Sequence, residues 1–426
     1  MTAAVFKIIP TTQQYDWGKT GRSSKVAQFA ASSQLPGFQI DEAAPYAELW
    51  MGTHPKSPSL VRSTGQVLSE HLASHPELIG QKIIDKFSAG NGNLPFLFKV
   101  LSIEKALSIQ THPDKDTAEK LHREQPDIYK DDNHKPEMAI AITPFDALCG
   151  FRPLPDIASA LHDTPEFRSL IAPDLVDAFL SKASSSSSEG REARDALKGL
   201  FGSLMRADAP QVQAALKSLI ARYKSGDTIG NEDGDVVKLV FKLDEQFPDD
   251  IGIFCVFVLN YLHLNPGEAI FLGAGEPHAY IYGECIETMA NSDNVIRAGL
   301  TPKLRDIPVL VAGLTYMAAD PSKHVVKLKS FQSSGPSVLY DPPIPEFSVI
   351  RMRLYHQDSI EFHEPRRGPS LAIVTAGKGL VSWYSSVEEN LELSLGDVFF
   401  IGAGTAIRFK NTEDTPLILY RAFVEA

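Results

Sequence analysis

Residues 265–303 read NPGEAIFLGAGEPHAYIYGECIETMANSDNVIRAGLTPK. The apolar runs at 268–272 and 279–282, with 253–262 (IFCVFVLNYL) just before them, are bounded by Pro and Gly turns and predict short strands. Between and after these runs stand His278, Tyr280, Glu284, Glu287, Asn291, Asp293, Asn294 and Arg297. A row of polar groups among apolar strands belongs either at a sheet edge facing water or on the inner wall of a cavity. The second reading predicts a metal-centred site that this stretch completes, begun far upstream in the chain.

Outward from this stretch, the C-terminal third keeps the same character. Short alternating runs recur at 325–328, 347–355, 359–362, 371–375, 379–383, 391–395, 398–401, 406–409 and 417–422, separated by Gly and Pro turns. That density of strands suggests a sandwich or jelly roll. One run, LSLGDVFFIGAGTAIRF at 393–409, resembles 265–280 in order: turn, Gly, acid, apolar strand, Gly-Ala-Gly, strand. His278 follows the turn in the first copy, and Ala406 or Ile407 stands there in the second. Two related barrels with a metal kept in only one account for the difference.

From Asp156 to about Ser225 the apolar spacing is helical instead, as in Leu197, Leu200, Phe201 and Leu204. Ser184–Ser188 reads as a surface loop between two of these helices. Strand character is expected to resume at Val236–Phe241. The fold expected is therefore mainly β, with cupin or jelly-roll type barrels and an inserted α-helical domain. The expected division is a catalytic unit of 1–155 and 236–310, a helical insertion of 156–235 and a C-terminal unit of 311–426.

With 426 residues, two or three domains are expected, and 43% hydrophobic with 22% charged residues is the balance of a soluble globular chain. A net charge of -12 argues against a nucleic-acid partner, yet a few local Lys and Arg can still make a pocket for an anionic small molecule. Cys149, Cys255 and Cys285 are too few and too apolar in setting for a disulfide framework, and suit a reducing compartment. No signal-peptide pattern and no long apolar run is present, so a cytoplasmic protein without a membrane span is expected.

Upstream, Ser108, Gln110 and His112 alternate along 107–112, so a strand there points all three to one face. Glu137 opens a strand beside His134 and Lys135. Gln110, His112, Glu137 and His278 together offer two nitrogens and two oxygens, a set zinc accepts. With Zn²⁺ the set carries a net charge of +1, which favours a bound water or polyol oxygen. The same residues also make sense as satisfied polar groups at strand ends, because no HExxH and no CxxC pair is present. A basic group, Lys99, Lys135, Arg297 and Lys303 with Ser108, has the donors that phosphate recognition needs. Trp17, in QQYDWGKT, and Glu48, in AAPYAELWMG, read as pocket walls or as packing at a rim.

Six motifs, QxYDWG at 13–18, AELWMGTHP at 47–55, QTHPDK at 110–115, DNHKPEMAIAIT at 132–143, GEPHAY at 275–280 and NSDNVIRAGLTPK at 291–303, closely resemble the type I phosphomannose isomerases. The resemblance implies an enzyme that interconverts mannose 6-phosphate and fructose 6-phosphate with one Zn²⁺ per chain, supplying GDP-mannose synthesis. It further implies that Gln110, His112, Glu137 and His278 are the zinc ligands and that Arg297 is an active-site arginine.

Such an aldose–ketose isomerase works through a cis-enediolate and needs a proton carrier within reach of C1 and C2. Glu287 is the leading choice, with Lys135 and His134 as rivals; one of these or Asp293 would open the ring. Ser108, Lys99 and Lys303 are assigned to the phosphate, and Trp17, Glu48 and Tyr280 to the sugar. A monomer with a small phosphorylated sugar as its partner is expected. Two other classes remain open on the residues alone: another cupin-type metalloenzyme, such as an epimerase or oxygenase, and a non-catalytic sugar-binding module.

Overall fold

The computed structural model describes residues 3–183, 190–227, 229, 230, 232–332 and 335–426. The Ser184–Ser188 loop lies outside the described residues. Three large layers organise the rest. An eight-stranded sheet runs in the order Lys329–Ser330, Val338–Tyr340, Ser348–Leu354, Leu417–Phe423, Ser370–Ala376, Val398–Ile401, Val5–Ile9 and Leu60–Val61. Strict alternation lets it serve two cores at once. Leu371, Ile373, Val398 and Phe400 face one core, shared with Leu49, Phe96, Phe98, Met138 and Ile286 of the ten-stranded sheet. Ala372, Val374, Phe399 and Ile401 face the other, shared with Val381, Trp383, Ile407 and Phe409 of a four-stranded sheet. Each fully buried Phe in these cores contributes about 1.5–3 kcal/mol.

The ten-stranded sheet is built around His278–Ala290, a single strand of 13 residues. Its first part pairs with Phe145–Phe151 and, at His278, with Gln110 of Ile109–Thr111. From Gly283 onward it pairs instead with Phe96–Ile103 and Glu137–Ala141. The change of partners falls at a residue with φ +110°, where a Cβ would stand 2.4 Å from the Pro144 carbonyl oxygen, so only glycine fits. The forked sheet encloses a small core of Leu101, Ala139, Phe145, Leu262 and Tyr280. Its outer side is covered by the helices, through Leu148, Phe151, Ala279 and Ile281.

The expectation of cupin or jelly-roll type barrels is corrected by this topology. Among the described residues no sheet closes on itself: the outermost strands of each sheet do not pair with one another. Short strands with Gly and Pro turns report that sheets are present and packed, but closure depends on whether the two edges meet, which alternation does not encode. The inserted helices stand, but the architecture is mixed rather than mainly β: helices such as Lys25–Ser32, Leu68–Ser74, Gln81–Phe87 and Lys115–Glu124 also lie among the strands outside the insertion.

Three local expectations also change. Val236–Phe241 is not a strand but part of the helix Gly234–Gln246, whose buried residues Val236, Leu239, Val240 and Leu243 keep one helical face over two turns. Asp233 caps it, its side chain accepting from the Asp235 N–H. The apolar run at 253–262 splits into a buried 3-10 stretch, Ile251–Phe257, and the strand Leu259–Leu264. The 325–328 run forms no strand of its own; Val325 makes one isolated bridge to Ile270.

Glycines at matching places support the internal resemblance. Gly267 and Gly275 flank the Ala269–Leu272 strand with φ +97° and +73°, and Gly396 and Gly404 flank Val398–Ile401 with +82° and +74°. Counting from these turns, Ile407 stands where His278 does, and it is fully buried in an apolar core.

Candidate metal centre and active site

Strand register assembles the centre. Glu287 lies opposite Lys99, and Lys99 opposite Trp50, while Glu48 lies opposite Leu101. Directly opposed residues share a face, and so do residues two apart. Glu48, Lys99, Glu287 and, through Met289 opposite Glu137, the Glu137 carboxylate therefore project from the same face. Their neighbours Phe98, Val100, Met138 and Ile286 point the other way, into the core.

His112, Glu137 and His278 are all buried, with ligand atoms within 4.8 Å of one another. Each histidine places Nε2 3.3 Å from a different Glu137 oxygen. Their Nδ1 atoms are already committed: His112 Nδ1–H donates to the Asn294 carbonyl at 2.7 Å, and His278 Nδ1–H to the Glu276 carbonyl at 3.0 Å. The tautomers so fixed leave two Nε2 lone pairs, both without a hydrogen-bond partner, aimed at a carboxylate. Burial pushes the His112 imidazole down to about 4, so it is neutral at pH 7. Lone pair against carboxylate is repulsive unless a cation lies between them. Two imidazoles with Nε2 turned inward and a carboxylate, each imidazole anchored through its other nitrogen, are a donor set suited to zinc. Gln110, directly opposite His278 on the adjoining strand, is the neighbour on the same face.

Beside this centre opens a cavity of about 650 Å³. Trp17, Glu48, Lys99, Ser108, Gln110, Lys135, Glu137, Tyr280, Glu287, Arg297 and Lys303 all line it. In its wall Lys99 Nζ lies 3.1 Å from Glu287 Oε2, 3.5 Å from Glu48 Oε2 and 5.0 Å from the Trp50 ring centroid. Burial opposes the Lys99 ammonium, but the Glu48 and Glu287 carboxylates outweigh it and hold the group charged. Burial raises the Glu287 carboxyl above its usual range despite Lys99. Burial also opposes charge on Glu137, yet Lys135, 3.0 Å away, and the two histidines hold it well below that range. Arg297 and Lys303 form no ion pair with any described residue, and Ser108 lines the same cavity.

Two expected site residues stand elsewhere. His134 Nε2 is 2.6 Å from Glu346 Oε1, and Asp293 is paired with Lys56 at 2.9 Å; neither lines the cavity. The wall also contains residues that sequence reading missed, chiefly 246–250 at the end of the last inserted helix. Gln246 Oε1 accepts from the Ala106 N–H. Asp250 accepts from the N–H groups of Gly252, Leu300 and Thr301 at 2.7–3.0 Å and so pins the loop that carries Lys303. An Asp after Pro248 and before an apolar run is a capping signal, and it was the one clue available.

Comparison with known proteins agrees along the chain. Residues 5–154 match the family model for the catalytic domain of phosphomannose isomerase type I, 170–259 that for its helical insertion domain, and 337–383 that for its C-terminal part. The chain is 47% identical to the mannose-6-phosphate isomerase of Cryptococcus neoformans and 44% identical to that of Saccharomyces cerevisiae, each over 100% of both chains. Among solved structures, a mutant of phosphomannose isomerase from Salmonella typhimurium superposes with a TM-score of 0.81 at 30% identity over 100% of both chains. A zinc-bound holo mannose 6-phosphate isomerase gives 0.79 at 30% identity, again over 100% of both.

Proposed function

The chain belongs to the type I phosphomannose isomerase family, and we infer that it interconverts D-mannose 6-phosphate and D-fructose 6-phosphate with zinc held by His112, Glu137 and His278. The observation that carries this is the pair of partnerless Nε2 atoms facing Glu137 at the edge of a cavity with free cations. Gln110 is proposed as the fourth ligand, since it sits opposite His278 and lines the cavity. When bound, zinc supplies a Lewis acid that polarises sugar oxygens.

The reaction moves one proton from C2 to C1 and one from O2 to O1, through a cis-enediolate. Glu287 is proposed to carry the carbon-bound proton: its raised carboxyl is closer to the pH of operation than an ordinary glutamate's. Lys99, held between Glu48 and Glu287, is proposed to position that carboxylate rather than to bind phosphate. Lys135 is proposed for the oxygen-bound proton and ring opening, and Arg297 for the charge that develops on the enediolate. The unpaired Lys303 and the Ser108 hydroxyl are assigned to the phosphate, and Trp17, Glu48 and Tyr280 to the sugar.

The insertion is proposed to extend to about residue 258, because Gly234–Gln246 packs in the helical core. The three buried free thiols support a reducing, cytoplasmic setting, and a monomer is proposed. Among the described residues no helix is long and apolar enough to cross a membrane.

The test is a coupled assay for fructose 6-phosphate formed from mannose 6-phosphate, run before chelation, after it, and after zinc is restored. Activity lost and then regained is expected. No turnover in zinc-loaded protein would overturn the reading.

A further inference from the structure

The C-terminal sandwich buries a second polar cluster, well away from the catalytic cavity. Arg421 continues the inward row of Leu417 and Leu419 on its strand and is 1% exposed. No described carboxylate forms an ion pair with it. Its Nη1 donates to His363 Nδ1 at 3.3 Å, which makes Nε2 the protonated nitrogen of that ring. His363 Nε2 then faces Ser337 Oγ at 3.4 Å, and Ser337 Oγ donates to Glu361 Oε2 at 2.7 Å. Glu361 Oε2 also lies 3.7 Å from His363 Nε2, so this carboxylate reaches Arg421 only through the imidazole and leaves Arg421 Nε without a partner.

Three buried polar atoms nearby have no partner: Arg421 Nε, Arg366 Nε and Ser370 Oγ. Register brings Ser370 and Arg421 to one face, and Arg366 joins them through Phe423, two residues after Arg421. Ala372 lies opposite Arg421 and Ser370 opposite Phe423, on one face of adjacent strands. The Arg366 guanidinium sits over Phe423 and Phe331, 5.5 and 4.6 Å from their centroids, with Glu425 3.5 Å away on its outer side. The remaining partnerless acceptor, Glu361 Oε1, is packed against the Gly335 backbone, where a Cβ would stand 2.7 Å from it.

We infer that Arg421, Arg366 and Ser370 form a binding site for a small anion inside the C-terminal sandwich. A guanidinium removed from water without a counter-charge is among the costliest placements in a protein. Unpaired Nε–H groups from two arginines and a hydroxyl at one place suit a ligand that only accepts and carries negative charge. A cation is excluded by the two arginines, and water would leave the buried charge uncompensated. Burial and the nearby Arg366 lower the Arg421 guanidinium to about 9, the expected sign for a cation lacking its partner. None of these residues lines the catalytic cavity, so the site stands independently of the isomerase reading.

Bromide soaked into crystals of the zinc-loaded full chain locates an anion by its anomalous signal. A peak within hydrogen-bond distance of Arg421 Nε and Ser370 Oγ is expected, lost in Arg421→Met. Ser370→Ala keeps the buried cation and serves if the methionine variant does not fold; there the peak weakens. Phosphate or acetate added to the soak separates the sources. Replacement of the bromide peak by oxyanion density identifies an oxyanion site, and persistence of bromide identifies a halide site. Water alone at this place in the wild type at saturating bromide, or a peak unchanged by Ser370→Ala, overturns the proposal.

Discussion

Lys99 and Glu287 face each other across neighbouring strands, Nζ to Oε2 3.1 Å, both buried and both in the wall of the catalytic cavity. The pairing places a carboxylate of raised pKa beside a fixed positive charge, a few residues from the zinc ligands in register. Glu287→Gln keeps the shape and the hydrogen bond while removing the base. A fall in kcat of about 10²–10⁴ is expected, with zinc content unchanged by metal analysis. Retained kcat in a zinc-replete variant would remove Glu287 from the proton-carrier role.

Asn294 acts on the metal centre without touching it. Its side-chain Nδ2 donates to the Asp131 and Asn133 carbonyls at 2.8 and 3.0 Å, which fixes the backbone carbonyl that receives His112 Nδ1–H. Asn294→Ala is expected to weaken zinc binding by about 10–100-fold. Competition with a chromogenic chelator measures this; an unchanged affinity would show that the carbonyl needs no such anchor.

Gly283 is where the longest strand changes partners. Gly283→Ala combines an unfavourable φ with a 2.4 Å approach to a backbone oxygen that cannot step aside. A loss of about 2 kcal/mol or more is expected in denaturant unfolding. A variant as stable as the parent would mean that the corner yields easily.

Arg222 in the inserted helices donates to both Glu166 and Glu232, by Nε at 3.0 Å and Nη1 at 2.7 Å respectively. Burial opposes charge on Glu232, but Arg222 and the Ile229 N–H hold its carboxyl below the usual range. A carboxyl lowered in the folded state binds its proton more readily when unfolded. The stability it contributes is complete above the ordinary carboxylate pKa and is lost as pH falls from about 4.3 toward the lower folded value. The thermal midpoint of the wild type should drop through that window, and Glu232→Gln should flatten the drop. Parallel slopes for the two proteins would contradict the assignment.

Much of the centre was legible because its chemistry is local. His278, Gln110, His112 and Glu137 stand out by residue type beside short strands, and their family motifs are long. What decides the rest is register across distant strands. Nothing near Lys99 in sequence announces Glu287 as its partner, which is why Lys99 read as a phosphate ligand and not as half of a buried pair. His134 and Asp293 share the motifs yet turn to Glu346 and Lys56, because their side-chain directions depend on neighbours from other parts of the chain. Val236–Phe241 misled through its valines, whose β-branching outweighed the i, i+3, i+4 spacing that continues to Leu243. Barrel closure failed for a similar reason, since edges meet or miss through twist and packing rather than through any local word.

The first strand, Val5–Ile9, lies between Leu60–Val61 and Val398–Ile401, and Lys7 reaches Asp397 at 2.7 Å across 390 residues of chain. During synthesis that strand leaves the ribosome well before Val398–Ile401 and must wait for it. At about 5–20 residues per second the interval is roughly 20–80 s. Throughout it, one hydrogen-bonding edge of the strand is open to any other chain that can pair with it. A nascent chain cut short before residue 398 cannot complete the sheet that backs the catalytic layer. Removing the C-terminal third would therefore leave an unfinished fold, prone to aggregate, rather than a smaller working enzyme.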